Sequence, residues 1–213
     1  NQLVIEMSNC GGQDSSAANL TRVLKLSADL GHYIGDAHVP LHTSSNYNGQ
    51  LTGQTGIHAL WETHVYETSR PYWIGQKIDA VYIPDIRNWV WSRIMSSHSK
   101  VEKVLYMERV VRERKGAPDV WGYRTRGRTL SLIPTPGFCE EYNDSLGGMV
   151  EERFYMAAEG IASVWYSAWV DAGAPDLHKG LIKPKKRNVI SELVHFFQEQ
   201  FLNQKELVEA DPK

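Results

Sequence analysis

Apolar residues recur at helical spacing along most of this 213-residue chain. Residues 17 to 36, 57 to 68 and 149 to 172 each repeat apolar or small residues every three or four positions, which predicts three amphipathic helices. A longer helix is predicted to begin near Pro84, because proline is favoured in a first helical turn, and its apolar positions continue to Val111. No segment alternates apolar and polar residues over a useful length. The sequence therefore predicts a mainly α-helical fold.

Polar and glycine-rich segments separate the predicted helices. Residues 43 to 56 have the composition of a long loop, and loops of this length in compact domains are often functional. Residues 115 to 143 contain several glycines and prolines and are predicted to be irregular. A basic run at 183 to 187 precedes an amphipathic segment. We therefore expect a main helical domain over residues 1–176, and a basic linker with an amphipathic helical tail over 177–213.

Composition and charge exclude several classes of function. The chain is 42% hydrophobic and 23% charged with a net charge of −2, which argues against a protein that depends mainly on binding a polyanion. No apolar run reaches the roughly 20 residues that span a bilayer, and no segment has the pattern of a signal peptide. Cys10 and Cys139 lie far apart and suit neither a disulfide framework nor a cysteine-based zinc site. The motifs of serine hydrolases, P-loop nucleotide-binding proteins and His-Glu-x-x-His metalloproteases are absent from the sequence.

Five of the eight histidines fall between positions 32 and 64. His32 and Asp36 are four residues apart, so on a helix they project from one face. His42 follows that helix, and His58 and Glu62 repeat the four-residue spacing on the next one. One such pair is commonly a surface pair, but two pairs with a histidine between them favour a metal site. Imidazole nitrogens and carboxylate oxygens are the usual zinc ligands apart from thiolates, and facing helices can supply them together.

Two segments of the sequence carry a family resemblance: His32-x-x-x-Asp36-x-His38-x-Pro40-Leu41-His42 and Ile57-His58-Ala59-Leu60-Trp61-Glu62. They resemble the motif of the zinc-dependent phospholipase C and single-strand-specific nuclease superfamily, whose members are helical and bind three zinc ions in a cleft. The resemblance implies that His32 ligates one zinc and that Asp36 bridges two ions and orients the attacking water. It implies that His42, His58 and Glu62 together hold the remaining zinc. The close match covers about residues 17 to 66, with looser helical agreement to about 173.

The motif combines features of both branches of that superfamily. His38 and Trp61 resemble the nuclease branch, whereas Glu62 stands where nucleases typically have aspartate and resembles the phospholipase branch. The resemblance thus implies a zinc-dependent phosphodiester hydrolase, phospholipase-C-like, acting on phospholipid or nucleic acid, with a single-strand nuclease as the alternative. In a nuclease, the aromatic residues Trp61, Tyr66, Tyr72 and Trp73 would be candidate platforms for bases. Members are commonly exported, which implies a secreted or periplasmic location.

The remaining ligands of that family are missing from this chain. Family members also use an N-terminal tryptophan, a nearby histidine, and a further aspartate and histidine, all upstream of the position that matches His32. Here residue 1 is Asn, and the 31 residues before His32 contain no histidine. We therefore expect residues 1–176 to be the C-terminal part of such a domain, with at most one complete zinc site and impaired activity in isolation. The alternative is a non-catalytic metal-binding or interaction module that has lost half its site.

Overall fold

The structure is a computed structural model that describes residues 1–10, 17–69, 77–126 and 129–177. This part of the chain is mainly helical, as the sequence predicts, and it includes a two-stranded sheet. The helices in chain order are α1 (Gln2–Cys10), α2 (Ala17–Asp36), α3 (Ile57–Ala59), α4 (Val65–Ser69), α5 (Ile86–His98), α6 (Val101–Lys115), α7 (Ala117–Val120), α8 (Pro136–Leu146) and α9 (Met149–Asp171). A 3-10 turn at Pro40–Thr43 follows α2, and a π-helical turn at Leu60–His64 joins α3 to α4.

The three shorter predicted helices are present where the sequence places them. Helix α2 coincides with the predicted segment 17 to 36, the predicted segment 57 to 68 is the joined helix from α3 to α4, and α9 ends one residue before the predicted 172. Helices α2 and α9 pack against each other. Because Gly31 has no side chain, the ring of Trp165 can approach α2 closely, and the Trp165 indole donates to the Ser27 carbonyl oxygen at 3.0 Å.

The predicted long helix from Pro84 is divided into α5 and α6, so this prediction was wrong in its extent. Asp85 caps the start of α5, where its carboxylate accepts a hydrogen bond from the Asn88 amide at 3.0 Å. The division falls at Ser99 and Lys100, and the Ser99 hydroxyl donates to the Ser96 carbonyl oxygen at 2.8 Å. Serine side chains that bond to nearby backbone compete with helical hydrogen bonds, which explains an end at this serine-rich segment.

The segment 115 to 143 is largely ordered, which corrects the predicted irregular excursion and the predicted absence of strands. Two strands, β1 (Trp121–Arg126) and β2 (Thr129–Pro134), pair antiparallel from Trp121 opposite Pro134 to Arg126 opposite Thr129. A half-buried strand is marked in the sequence by apolar residues at every second position that pack into the core. Here the apolar residues Tyr123 and Leu132 are both exposed, so the two strands have no such buried face. Helix α8 then starts at Pro136, and the side chain of Thr135 caps it.

The main apolar core lies between α6, α8, the start of α9 and the joined helix from α3 to α4, and its largest apolar members include Trp61, Phe138 and Tyr142. Helix α1, which the sequence did not indicate, packs with α2 and the end of α9 in a second apolar cluster. Cys10 and Cys139 are both buried, and neither forms a disulfide. Burial raises the pKa of the Cys139 thiol to about 11.

Among the helices of the described segments, none combines the length and the hydropathy needed to cross a bilayer. The predicted basic linker and amphipathic tail fall almost wholly within residues 178–213, which lie outside the described residues. The predicted boundary between residues 176 and 177 therefore stays a prediction.

Candidate metal centre

The structure brings all five predicted ligand residues to one place. His32 and Asp36 lie in the last two turns of α2, and His42 lies in the 3-10 turn that follows. His58 lies in α3, and Glu62 lies at the middle of the π-helical turn. The site is therefore built where the end of one helix meets the start of another, with a loop between them.

Imidazoles and carboxylates alternate through this group. Asp36 lies between two histidines, with its Oδ2 atom 3.4 Å from His32 Nε2 and its Oδ1 atom 3.7 Å from His42 Nε2. Glu62 lies between two histidines as well, with Oε1 2.9 Å from His42 Nε2 and Oε2 3.2 Å from His58 Nε2. Each carboxylate thus has an imidazole nitrogen on either side, and His42 contacts both carboxylates.

Three of these residues have the arrangement of a metal site. The ligand atoms of His42, His58 and Glu62 all lie within 4.8 Å of one another. Two ligands of a tetrahedral zinc, each about 2.1 Å from the ion, lie roughly 3.4 Å apart. The distances from Glu62 to the two histidine nitrogens, 2.9 and 3.2 Å, are close to that separation. The donor set therefore fits a divalent cation that prefers nitrogen and carboxylate ligands.

His32 and Asp36 form a more open pair beside this group. The His32 side chain is 57% exposed, whereas those of His42, His58 and Glu62 are 34% exposed or less. Within the described segments, His32 and Asp36 belong to no group of three metal-ligating side chains. The structure thus places them next to the candidate metal group of His42, His58 and Glu62, without a third ligand of their own.

The π-helical turn sets the direction of the Glu62 side chain. The Val65 amide donates to the Leu60 carbonyl oxygen, five residues earlier, which is the hydrogen bond of a π-helix. Both Leu60 and Trp61 are buried in the main core, so the turn is fixed from behind while Glu62 faces the histidines. Turns of this kind inside α-helices are frequent at functional sites. The four-residue spacing in the sequence gave no sign of it.

The loop from 44 to 56 sets the position of His58 relative to His42. The Asn46 side chain accepts a hydrogen bond from the Leu51 amide at 2.7 Å, and Asn48 accepts one from the Gly56 amide at 3.1 Å. Gln54 is buried and donates to the Leu105 carbonyl oxygen at 2.8 Å and to the buried Glu108 carboxylate. These amide side chains shape the loop and attach it to α6.

Charge in the site is stabilised by these contacts. Burial alone would raise the pKa of Glu62, but hydrogen bonds from His42 and His58 and their charges outweigh it and hold that pKa at about 2. The hydrogen bond to Glu62 raises the pKa of His42, and this effect together with the nearby carboxylate charges exceeds the opposing effect of burial. Because Glu62 is ionised and His42 is readily protonated, a metal ion that binds here would compete with a proton.

A cavity of about 420 Å³ adjoins the candidate metal group at Glu62. His32, Asp36 and Glu62 line one part of its wall, and apolar and aromatic side chains line most of the rest. Tyr66 and Phe154 face each other across 5.2 Å between ring centroids and belong to this wall. The polar group and the apolar wall are therefore reachable by one ligand.

Other residues singled out in the sequence have structural positions. His38 is buried behind the site, where burial lowers its pKa to about 4 and the neutral ring donates from Nδ1 to the Ile34 carbonyl oxygen at 2.7 Å. Trp61 is a core residue, so it offers no exposed platform. Tyr72 and Trp73 lie outside the described residues.

Comparisons with protein-family models, curated proteins and solved structures found nothing that matches this chain. The resemblance to the phospholipase C and nuclease superfamily therefore depends on the ligand motif alone and stays a prediction.

Proposed function

We propose that this protein is a zinc-dependent phosphodiester hydrolase of the phospholipase C type. The observation that carries the proposal is the group in which His42, His58 and Glu62 present their ligand atoms within 4.8 Å, with Asp36 and His32 beside it. Two imidazoles and one carboxylate are a ligand set of catalytic zinc, which keeps a coordination position for water or substrate. The family motif predicts the same five residues.

His42, His58 and Glu62 would hold the ion. When bound, zinc would lower the pKa of a water molecule to about 7 and act as a Lewis acid towards the phosphate oxygens. Asp36 lies 3.7 Å from the His42 nitrogen, so its carboxylate would accept a hydrogen bond from the attacking water and direct it towards the phosphorus atom. His32, at 3.4 Å, would fix the orientation of that carboxylate.

The adjoining cavity suggests how the rest of the substrate would bind. Its wall is mainly apolar, which fits the hydrophobic part of a phospholipid whose phosphate lies at the histidine group. A single-strand nuclease is the second candidate, because the Tyr66 and Phe154 rings could stack with nucleobases. Both candidates use the same metal group and the same chemistry.

Hydrolysis assays on the full-length protein with added zinc test the proposal. We expect release of phosphocholine from phosphatidylcholine vesicles, and loss of at least 100-fold in rate in His42→Ala. His98→Ala is the matched control, because His98 contacts Thr43 next to the site but is outside the ligand group.

The substrate panel separates the alternatives. Cleavage of single-stranded DNA without cleavage of phospholipid would favour the nuclease. Zinc binding without hydrolysis of either substrate would indicate a non-catalytic metal-binding module. A protein that binds no zinc would contradict the proposal.

A further inference from the structure

We propose that, in the metal centre assigned above, Arg153 of α9 is a positioning residue that fixes the turn between Asp36 and His42. The inference rests on the proposed function, because it concerns the geometry of that centre. Arg153 is 1% exposed, and its guanidinium faces the backbone of the chain immediately after α2. It takes no direct part in binding the ion.

The guanidinium has no donor left for a substrate. Nε donates to the His38 carbonyl oxygen at 2.9 Å, and the remaining four N–H groups have acceptors of their own: Ser96 Oγ at 3.2 Å, Met156 Sδ at 3.7 Å, the Arg93 carbonyl oxygen at 3.4 Å, and Ser97 Oγ. Arginine carries five N–H donors, and all five are used. Arg153 therefore lines the cavity without being able to bind a phosphate directly, and it acts through the groups it holds.

In the described segments the acceptors of this buried guanidinium are all neutral groups. Burial lowers the pKa of Arg153, the charge of Glu152 opposes that effect, and the charge of Arg93 adds to it. The His38 carbonyl directly follows the C-terminal end of α2, where the helix dipole is negative and favours a cation. The guanidinium also contacts α5, through the Arg93 carbonyl oxygen and the Ser97 hydroxyl. Arg153 thus joins the end of α2 to α5.

Side chains bind three carbonyl groups at and just beyond the end of α2. A helix leaves its last four carbonyl groups without helical partners, and in α2 backbone amides of the following turn bind three of these four. The Ile34 carbonyl accepts from His38 Nδ1 at 2.7 Å, the Ala37 carbonyl from the Ser97 hydroxyl at 2.6 Å, and the His38 carbonyl from Arg153. Ser97 also accepts a hydrogen bond from Arg153, so the two side chains form one unit.

This unit determines how Asp36 meets His42. Asp36 lies directly before Ala37, and His42 follows His38 by four residues, so the fixed carbonyls lie between the two functional side chains. Functional groups must be held within about 0.5 Å of their productive geometry by the residues behind them. Removing Arg153 would release this turn and leave its carbonyls without donors, while the ligand residues themselves remain.

The test measures zinc affinity and coordination geometry in the full-length protein. Arg153→Met keeps most of the side-chain volume and removes the hydrogen bonds, and we expect its zinc Kd to rise 10- to 100-fold, the usual effect of losing a supporting residue. We expect Ser97→Ala to raise the Kd about threefold to tenfold, because it removes only the Ala37 bond and one acceptor of Arg153. Visible spectra of the cobalt-substituted protein should shift in both variants.

Tyr142→Phe is the matched control. It removes a buried hydrogen bond to the Val104 carbonyl oxygen at 3.1 Å in the main core, away from the ligand group. We expect it to lower the melting temperature without changing the zinc Kd or the cobalt spectrum. A change in both variants but not in Tyr142→Phe separates positioning from general loss of stability.

The outcomes separate this inference from the proposed function. If the unaltered protein binds no zinc, the proposed function fails and this inference fails with it. If it binds zinc, and folded Arg153→Met has an unchanged Kd and an unchanged cobalt spectrum, Arg153 does not position the site and the proposed function stands. If Arg153→Met does not fold, Ser97→Ala decides, and unchanged zinc binding in that variant overturns the inference.

Discussion

Replacing Glu62 with glutamine tests the candidate metal centre at the carboxylate that contacts both His42 and His58. The carboxylate oxygens of Glu62 lie 2.9 Å from His42 Nε2 and 3.2 Å from His58 Nε2. Glutamine has nearly the same shape, but it lacks the charge and presents an NH2 group to one of the imidazoles. In the metal-free protein we therefore expect loss of the favourable electrostatic interaction with little change in packing.

The pKa of Glu62 gives the size of the effect. Lowering that pKa from 4.5 to about 2 corresponds to about 3 kcal/mol of pH-dependent stability, since one unit is about 1.4 kcal/mol. The side chain is 29% exposed, so solvent screening reduces the expected value to about 2 kcal/mol. A lowered pKa stabilises the fold above pH 4.5, and the contribution is lost as the pH falls from 4.5 towards 2.

At higher pH, His42 loses its proton, and the stabilising interaction between His42 and Glu62 becomes weaker. Its pKa is raised by the hydrogen bond to Glu62, so its contribution is present below its ordinary value of 6.5 and is lost as the pH rises through the raised value. The pair therefore stabilises the metal-free protein most between about pH 4.5 and 6.5. A measurement at pH 5.5 lies within this window.

The assay is urea unfolding in the presence of a chelator at pH 5.5 and at pH 3. We expect Glu62→Gln to be about 2 kcal/mol less stable than the unaltered protein at pH 5.5, with a smaller difference at pH 3. Glu67→Gln is the control on the same joined helix. Glu67 is exposed and its ion pair with Arg124 is long, at 3.5 Å, so we expect this substitution to change the free energy of unfolding by less than about 1 kcal/mol. Equal stability of Glu62→Gln and the unaltered protein at both pH values would refute the reasoning.

Three further predictions follow from the same structure. Because protonation of His42 competes with the metal, zinc affinity measured by chelator competition should fall as the pH is lowered from 8 to 5.5, and a constant affinity would contradict this. An added Cβ at Gly160 would lie 2.6 Å from a ring carbon of Trp89, so Gly160→Ala should lower the free energy of unfolding by about 1–3 kcal/mol, whereas Gly35→Ala meets open space and should raise it by about 0.5–1 kcal/mol. The buried Cys139 thiol, with its pKa near 11, should react with a thiol reagent only on unfolding, and rapid reaction in the native protein would show that it is accessible.

The ligand residues could be predicted because their signals are local. His32 with Asp36, and His58 with Glu62, are each one helical turn apart, so a four-residue spacing places them on one face of a helix. The helices that carry them also have strong amphipathic patterns, and the structure confirms these helices. The spacing could not predict that the two pairs lie close together in space. Their proximity depends on the loop that Gln54 attaches to α6 and on the packing of α2 against α9.

The features that sequence reasoning missed depend on distant partners or on weak local patterns. In the sequence, nothing distinguishes Arg153 from the other charged residues of its predicted helix. In the structure it donates to the His38 carbonyl oxygen, 115 residues away in the chain. In the hairpin, Tyr123 and Leu132 are exposed, so no buried face marked the strands. The π-helical turn at Leu60–His64 changes the hydrogen bonding of a helix without a recognisable change in its composition.

Under the proposed function, the metal centre would serve catalysis and not the stability of the fold. A structural zinc supplies the free energy of folding of a small domain whose core cannot do so. Here the elements that carry the ligands are fixed by contacts that need no metal, namely the apolar core around Trp61, the bond from Gln54 to α6, and the Arg153 unit behind Asp36. The carboxylates already have imidazole neighbours, so the metal-free site is itself a stabilised arrangement. Binding energy of an ion would therefore remain available for holding water and substrate, which is what the hydrolysis of a phosphodiester requires.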